Sequence, residues 1–570
     1  MTRAGRLSHI FRHNWKTVLA GVVGFVLTII TLSTAWAGWE TFHTLQALRH
    51  RDLTTAAHHA QRAKKVAAAW DTITGKRSTF IRLLYEGLAG LIEASETQRT
   101  IQQYLPLALQ GNQAARPLAM QLQQQLTQLN EHVQRFSTTL TLASSDRHIF
   151  QRSDTLVPQV AVLQELSATW TPFITAHLRG HHKYIILLQN SDELRATGGF
   201  VGSYAVIELD DGVVTRLDIH DIYAAAGQVK TPPVGPPGVA AYLSSGSGKL
   251  QLPDANWSPD FPTTAQTMLA MFAQAGEREV DGVISCNVEV IKDILNVTGA
   301  LYLPDQRVTV TPENFTDVAR SGRSEFFPGS QQKAQLLTSL FTQLKEELVT
   351  LNTTEQLAIV ASLGRRIRSK DIQFFTHDKA WQTQFERAQV AGQVRLPAEP
   401  AFPLYLVESN VGINKVNKFV SREVQVATAG DTITISVRYT NTSPQNEAYI
   451  NYLRVLLPPT ASIEAAYLKT DPLKEWDDAA WVSTSGVQLR EYGFLVPVPV
   501  SQPKPSDATQ PEPATFTLVV HNPNPQTPPN FWVMKQAGLA KTHYTLLWVQ
   551  DVQQTTRQDL WLEGDTLVKF

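Results

Sequence analysis

Cysteine is almost absent: Cys286 is alone among 570 residues, which excludes intramolecular disulfides, Cys-ligated zinc and iron–sulfur clusters. An excess of either charge is also lacking. Fifty Lys+Arg stand against 51 Asp+Glu, so no nucleic-acid partner is expected from an electrostatic footprint. Charged residues make up only 18% of the chain, too few for disorder, and the 43% that are hydrophobic suffice for packed cores. The familiar catalytic signatures are missing too. There is no G-x-S-x-G, no Walker loop, no G-x-G-x-x-G and no H-E-x-x-H, which leaves the common hydrolase, nucleotide and zincin chemistries unsupported. At this length more than one domain is expected.

Long apolar runs are scarce, and one reaches membrane length. Thr17 to Trp39 is 23 residues without a charge, enough to cross a hydrocarbon core of about 30 Å. Arg3, Arg6, Arg12 and Lys16 precede it, so residues 1–16 read as a cytoplasmic basic tail, 17–39 as a transmembrane helix, and the remainder as extracytoplasmic. The rival reading is a cleaved signal peptide ending at Ala35-Trp36-Ala37. Residues 40–180 read as a helical stalk or bundle. Leu53, Ala56, Ala60, Ala63, Ala67 and Trp70 keep one narrow stripe, and Gly75-Lys76, Pro106, Gly111, Pro117 and Pro158 punctuate the helices. The pairs His58-His59 and His181-His182 are not read as metal ligands, because adjacent positions on a helix do not share a face.

Residues 181–400 alternate strands with helices, which predicts an α/β domain in an α+β multidomain chain. Tyr184–Leu188 is a continuous apolar run of strand length, followed by a polar loop that holds Asn190, Glu193 and Arg195 and ends in Gly198-Gly199. Phe200–Leu209 and Val213–His220 then read as a hairpin. A three-residue loop Asp210-Asp211-Gly212 pairs residues whose numbers sum to 422 and sets Asp221 opposite Val201, beside the polar loop. Two readings stand. Arg195 pairs with Asp221 or Glu193 and pins the loop, or its planar fork and the Gly-Gly backbone bind an anion, a phosphate being the natural fit. Asp254-Ala-Asn256-Trp-Ser258-Pro-Asp260 alternates oxygen ligands as a calcium loop does, yet Pro259 and Ala265 stand where the glycine and the bidentate Glu are needed, so an EF-hand is excluded. A weaker divalent site using Asp254 or Asp260 competes with Asp260 simply starting the next helix. Thr311-Pro312 is expected to open a further helix.

These residues carry a resemblance. Tyr184-Ile-Ile-Leu-Leu-Gln-Asn-Ser-Asp-Glu-Leu-Arg-Ala-Thr-Gly-Gly-Phe200-Val-Gly-Ser, Asp254-Ala-Asn-Trp-Ser-Pro-Asp-Phe-Pro262, Val280-Asp-Gly-Val-Ile284 and Gly412-Ile-Asn-Lys-Val-Asn417 resemble the bacterial membrane-anchored family called domain of unknown function 4012. That resemblance implies an anchored cell-envelope protein without a settled activity. More distantly, the order of strand, Arg-containing loop, hairpin, Asp221, Thr298-Gly-Ala-Leu-Tyr, Arg320-Ser-Gly-Arg323 and Gln331-Gln332 is similar to the LytR-CpsA-Psr phosphotransferases. That family moves glycopolymers from a polyprenyl pyrophosphate carrier to the cell wall, with arginines on the pyrophosphate and acids on magnesium. The resemblance implies a ligand site of Asn190, Glu193, Arg195, Gly198, Gly199, Asp221, Arg320 and Arg323. It also implies a possible Mg2+, with Asp221 its leading ligand and Asp254 and Asp260 behind. The departures are specific: Ala196-Thr197-Gly198 follows Arg195, His220 stands where the family has an arginine, and Pro328-Gly329-Ser330 replaces others.

Residues 401–570 read as a β-sandwich of immunoglobulin type, from short β-rich runs such as Thr432–Thr440 and Tyr449–Leu457, with ten prolines between Pro497 and Pro529 forming irregular loops. Trp476, Trp481, Trp532, Trp548 and Trp561 are core anchors or sugar-stacking platforms. The expected function is binding of a phosphate-bearing envelope lipid or glycopolymer by the α/β domain. The alternatives are a glycopolymer phosphotransferase and a structural or adhesive envelope protein.

Overall fold

A computed structural model describes residues 53–73, 79–144, 170–321, 332–501, 513–551 and 554–570, together with 36, 39–44, 46, 47, 164, 167, 168, 503, 504 and 507–511. The expected tail 1–16 and, apart from Trp36 and Trp39, the expected span 17–39 lie outside the described residues, as does Arg323. No described helix is long and apolar enough to cross a membrane.

The chain divides into two compact units. The first holds residues up to Gly180 and the turn Asp211–Val213. Its helices α1 (Leu53–Ile73), α2 (Thr79–Leu109) and α3 (Ala115–Ser144) are held by the small-residue stripe, in which Ala56, Ala60, Ala63 and Ala67 are all buried. Ala60 and Ala63 meet Leu88, the close approach that alanine permits. Pro106 does not end α2 as expected. The helix runs three residues beyond it to Leu109, and the break comes at Gly111 with φ 71°. Glu86 and His132 join α2 to α3 at 2.7 Å.

The second unit holds 181–210 and 214–570, so the expected 181–400 and 401–570 segments share one compact body. Its first sheet runs β3 (Val213–Asp221), β2 (Phe200–Asp210), β1 (His181–Asn190), β4 (Gly282–Asn287) and β7 (Ile372–Thr376). Strands β1 and β4 are parallel, and the β1–β2 and β4–β7 pairs are antiparallel. The small hairpin β5 (Leu301–Leu303) and β6 (Val308–Val310) stands apart from this sheet. The β2–β3 connection differs from expectation. It is a two-residue loop, with φ 49° at Asp211 and 75° at Gly212, the I′ turn that Asp-Gly favours. Thr215 Oγ1 accordingly donates to Glu208 O at 3.3 Å, and these numbers sum to 423 rather than 422 near the tip.

Helices cover both faces of this sheet. Asp221 caps α4 (Ile222–Ala226), Asp260 caps α5 (Phe261–Gln274) and Asn287 caps α6 (Val288–Thr298). The α5 side builds one core around Ile185, Leu187, Val283, Met268 and Phe272. On the other side α6, α7 (Phe315–Ser321) and α8 (Gln332–Thr350) enclose Leu295, Phe315, Leu337 and Leu340, followed by α9 (Thr353–Arg368) and α10 (Lys379–Arg387). Helix α7 is assigned from Phe315, but Thr311 caps its first turn as Thr311-Pro312 predicts: Asn314 N donates to Thr311 Oγ1 at 3.3 Å, Thr311 N to Asn314 Oδ1 at 2.7 Å, and Phe315 N to Thr311 O at 3.0 Å.

The C-terminal strands form a seven-stranded and a six-stranded sheet whose buried residues make one continuous core. At the centre of the six-stranded sheet lies β8 (Phe402–Asn410), buried at every position, between β11 (Tyr449–Leu457) and Asn530–Met534. The seven-stranded sheet centres on β9 (Val420–Ala429) and β10 (Thr432–Asn441). Trp532 is buried, Trp476 and Trp481 pack against the cores, and Trp561 is 59% exposed.

Candidate functional site

The polar loop 190–199 leaves β1 at its carboxyl end, a position where open α/β sheets place ligands. Here the loop is used inward. Arg195 is 1% exposed, and its guanidinium donates to Asp254 Oδ1 at 3.1 and 3.0 Å, to Glu193 Oε1 at 3.2 Å and to the carbonyls of Leu194 and Asn410. Glu193 takes a second cation, Lys415 Nζ, at 2.9 Å. Of the two sequence readings, the pinned pair is the one formed, with Glu193 and Asp254 as partners rather than Asp221. Burial pushes the Asp254 carboxyl upward against the pull of Arg195, so its ionisation depends on that guanidinium.

Several other loop groups are also spoken for, although Asp192 Oδ2 is buried without a hydrogen-bond partner. Asn190 Oδ1 accepts from Asp192 N, Gly198 O accepts from Asn287 Nδ2 at 3.0 Å, and Gly199 O accepts from Asn256 Nδ2 at 2.8 Å. A Cβ on Gly199, with φ 152°, would meet the Asn190 carbonyl carbon and oxygen at 2.3 Å, so the loop closes on itself too tightly for any side chain. Across the unit, Gln536 Nε2 donates to Arg195 O, Asn417 Nδ2 to Ser191 O, and Gln373 Nε2 to Thr197 O. Sequence reasoning missed these roles of Asn410, Lys415 and Gln536: Lys415 sits in the quoted 412–417 block, and the distance of Asn410 and Gln536 along the chain left no local signal.

The three aspartates proposed as divalent-cation ligands differ in their fit. Asp254 is committed to Arg195. Asp260 is saturated: Oδ1 accepts from Val394 N at 2.9 Å, and Oδ2 takes the N–H and hydroxyl of both Thr263 and Thr484. Asp221 is the one left without an ion-pair or multiple hydrogen-bond commitment among those given above. Its Oδ1 accepts from Tyr223 N at 2.8 Å, and the residue lines an open polar cleft of ≈ 550 Å³ with Asp305, His220, Gln306, Gln335 and Ser339. Asp305 Oδ2 accepts from Ser339 at 3.3 Å. Among the described residues no group of three His, Cys, Asp or Glu could hold a metal. Arg320 lies on α7, and Arg323 falls outside the described residues.

A second cavity, ≈ 60 Å³, lies at the carboxyl ends of β1 and β4, between the sheet and helices α6, α7 and α8. Leu188, Val288, Ile291, Phe315, Leu337 and Phe341 make its apolar wall, and Gln189, Asn190, Ser203 and Asn287 its polar one. Cys286 also lines it, with its thiol pushed up to about 12 by burial, which makes it an inert small residue rather than a nucleophile. Helix α8 serves both cavities, with Leu337 and Phe341 toward this one and Ala334, Gln335, Thr338 and Ser339 toward the Asp221 cleft.

Comparison with curated proteins and with solved structures returns no match to this chain. Residues 179–323, which span the polar loop, the hairpin, Asp221 and the Asp254–Asp260 segment, match one family model, so the chain carries the domain described as Protein of unknown function (DUF4012).

Proposed function

We propose that this is a membrane-anchored protein of the cell envelope, its bulk extracytoplasmic, whose α/β domain binds a phosphate-bearing envelope lipid such as a polyprenyl phosphate or its glycopolymer conjugate. The anchor rests on the uncharged run 17–39 and the basic residues before it. The observation that carries the binding reading is the arrangement along α8: an apolar cavity and a polar cleft with two carboxylates are lined by adjoining faces of the one helix. The first suits a hydrocarbon chain. The second suits a phosphate bridged by Mg2+ to Asp221 and Asp305, since Mg2+ keeps few protein ligands and shares the rest with phosphate oxygens. Arg195 takes no part, being consumed inside the fold. The C-terminal sheets, which we interpret as a β-sandwich of immunoglobulin type, then act as a spacer or recognition module.

The cavity has space for roughly five waters, so a chain of more than a few carbons requires α7 and α8 to part. The test is lipid retention. Full-length protein extracted in mild detergent should carry polyprenyl phosphate detectable by mass spectrometry, Leu337→Trp should abolish it by filling the cavity, and Asp305→Asn should weaken it only when Mg2+ is present. Retention unchanged in Leu337→Trp would remove the reading. Magnesium-dependent transfer of a glycan phosphate by the same preparation would select the phosphotransferase alternative.

A further inference from the structure

The core between the two C-terminal sheets opens at one end into a pocket of ≈ 240 Å³, against ≈ 60 Å³ for the cavity beside α8. Its floor is drawn from both sheets. Phe402 and Phe531, paired on neighbouring strands, face inward from one, and Thr428 and Ile433, paired between β9 and β10, face inward from the other. Thr428 shares its strand face with Val424 and Val426, which are core residues. The rim comes from the loop after β11, the loop after His521 and the start of the strand Gln488–Val498, where Gln488 shares a face with Tyr492 and Phe494.

No charged side chain lines this pocket. Its polar side chains are hydroxyls and amides, and those of Thr428, Thr460, Gln488, Asn524 and Gln526 make no hydrogen bond among the described residues. Thr428 is only 5% exposed, so its hydroxyl is answered by what enters the pocket or not at all. A buried polar group left unanswered costs about 1–3 kcal/mol.

We propose that this pocket holds one neutral sugar unit of a glycan, its ring set on Phe402, Phe531 and Ile433 and its hydroxyls on Thr428 and the rim amides. A sugar ring offers both halves of that match. Its carbon-bound hydrogens make an apolar face, and its hydroxyls both donate and accept, as Thr and Gln side chains do. A hydrocarbon would strip water from the uncommitted hydroxyls and amides, and a carboxylate or phosphate would find no cation. An extended peptide needs a strand edge, whereas no residue of the outermost strands, such as Asp477–Val482 or Thr566–Lys569, lines the pocket. The volume falls below the roughly 300–1,000 Å³ of sites for drug-sized ligands, which limits the occupant to a single ring. This site is separate from the lipid-binding reading and gives the C-terminal sheets a ligand of their own.

The test is ligand-observed NMR on the full chain in a detergent without a sugar head group. The probes are methyl glycosides of glucose, galactose, mannose, rhamnose and N-acetylglucosamine, with glucuronate and glucose 6-phosphate as charged counterparts. At least one neutral glycoside should bind saturably, about tenfold more tightly than either charged probe and with little change on adding salt. Thr428→Val, which keeps the shape and removes the hydroxyl, should weaken that glycoside about tenfold, and Gln488→Ala on the exposed rim about threefold. Binding of no neutral glycoside, equal binding of the charged probes, a tenfold preference for a free sugar over its methyl glycoside, or unchanged affinity in Gln488→Ala overturns the inference, and this last variant decides if Thr428→Val does not fold. Polyprenyl phosphate retained by a protein that binds no sugar refutes this inference alone. Sugar bound by a protein that carries no polyprenyl phosphate refutes the lipid reading alone.

Discussion

Arg195 and Lys535 show what a buried charge costs and returns in this protein. Arg195 satisfies two carboxylates and two carbonyls from inside the fold, so Arg195→Ala leaves the largely buried Asp254 without its guanidinium and Glu193 with Lys415 alone. The expected loss is about 3–5 kcal/mol in denaturant unfolding. Arg195→Lys should recover little of it, because an ammonium cannot span Asp254 and the Asn410 carbonyl together. A folded, stable Arg195→Ala protein with lost lipid binding would return this residue to the ligand site. Lys535 donates to the carbonyls of Ser369, Gln536 and Leu539, and burial pulls its pKa down to about 8 from 10.5. Between those two pH values the unfolded chain holds a proton that the folded one has released. Stability should therefore rise with pH across that window, by up to about 1 kcal/mol per pH unit, and Lys535→Met should flatten the slope in a pH series of melts. The sequence offered the pinned loop as one of two readings for Arg195 but gave no sign of Asp254 as its partner, and the Lys535 role was not legible. An ion network that welds a loop and a site that binds phosphate draw on the same residue types, and the partners that decide between them lie 59 and 215 positions away from Arg195.

The helices and strands of the α/β region were legible because their signals are local: an apolar run for β1, a cap and a proline at the start of α5, and an amphipathic period for α8. Where local signals compete, reading falters. Asp210-Asp211-Gly212 supports both a three-residue and a two-residue loop, and the twist of the strands selects the latter. Asp260 is the element-scale case in which the bland reading of the sequence was right in kind and too small in extent. It caps α5, but it also takes Val394 N and both donors of Thr484, tying the helix to two distant segments. Loss of a cap alone costs about 1 kcal/mol. Asp260→Ala also leaves buried donors unpaired, and the expected loss in thermal or denaturant unfolding is at least about 3 kcal/mol. A cost near 1 kcal/mol would mean that the contacts beyond the helix contribute nothing.

At the scale of the molecule, residues 181–400 and 401–570 belong to one body, and the motif blocks that carry the family resemblance lie on both sides of that expected boundary. Asn410 N donates to Leu194 O, and Asn417 N to Asp192 O, so the loop of the first segment is completed by the second. A chain ending at residue 400 should therefore be insoluble or molten. Residues 181–570 should melt in one calorimetric transition, and two separable transitions would contradict the shared body. The bond from Gln536 Nε2 to Arg195 O spans 341 residues, which carries a consequence in time. As the chain is made from its N-terminus, Glu193, Arg195 and Asp254 exist long before the segment that seals them. For most of synthesis the first sheet waits half-built with its charges wet. A protein of such high contact order folds slowly, and the segment just after Asn530–Met534 acts as the latch.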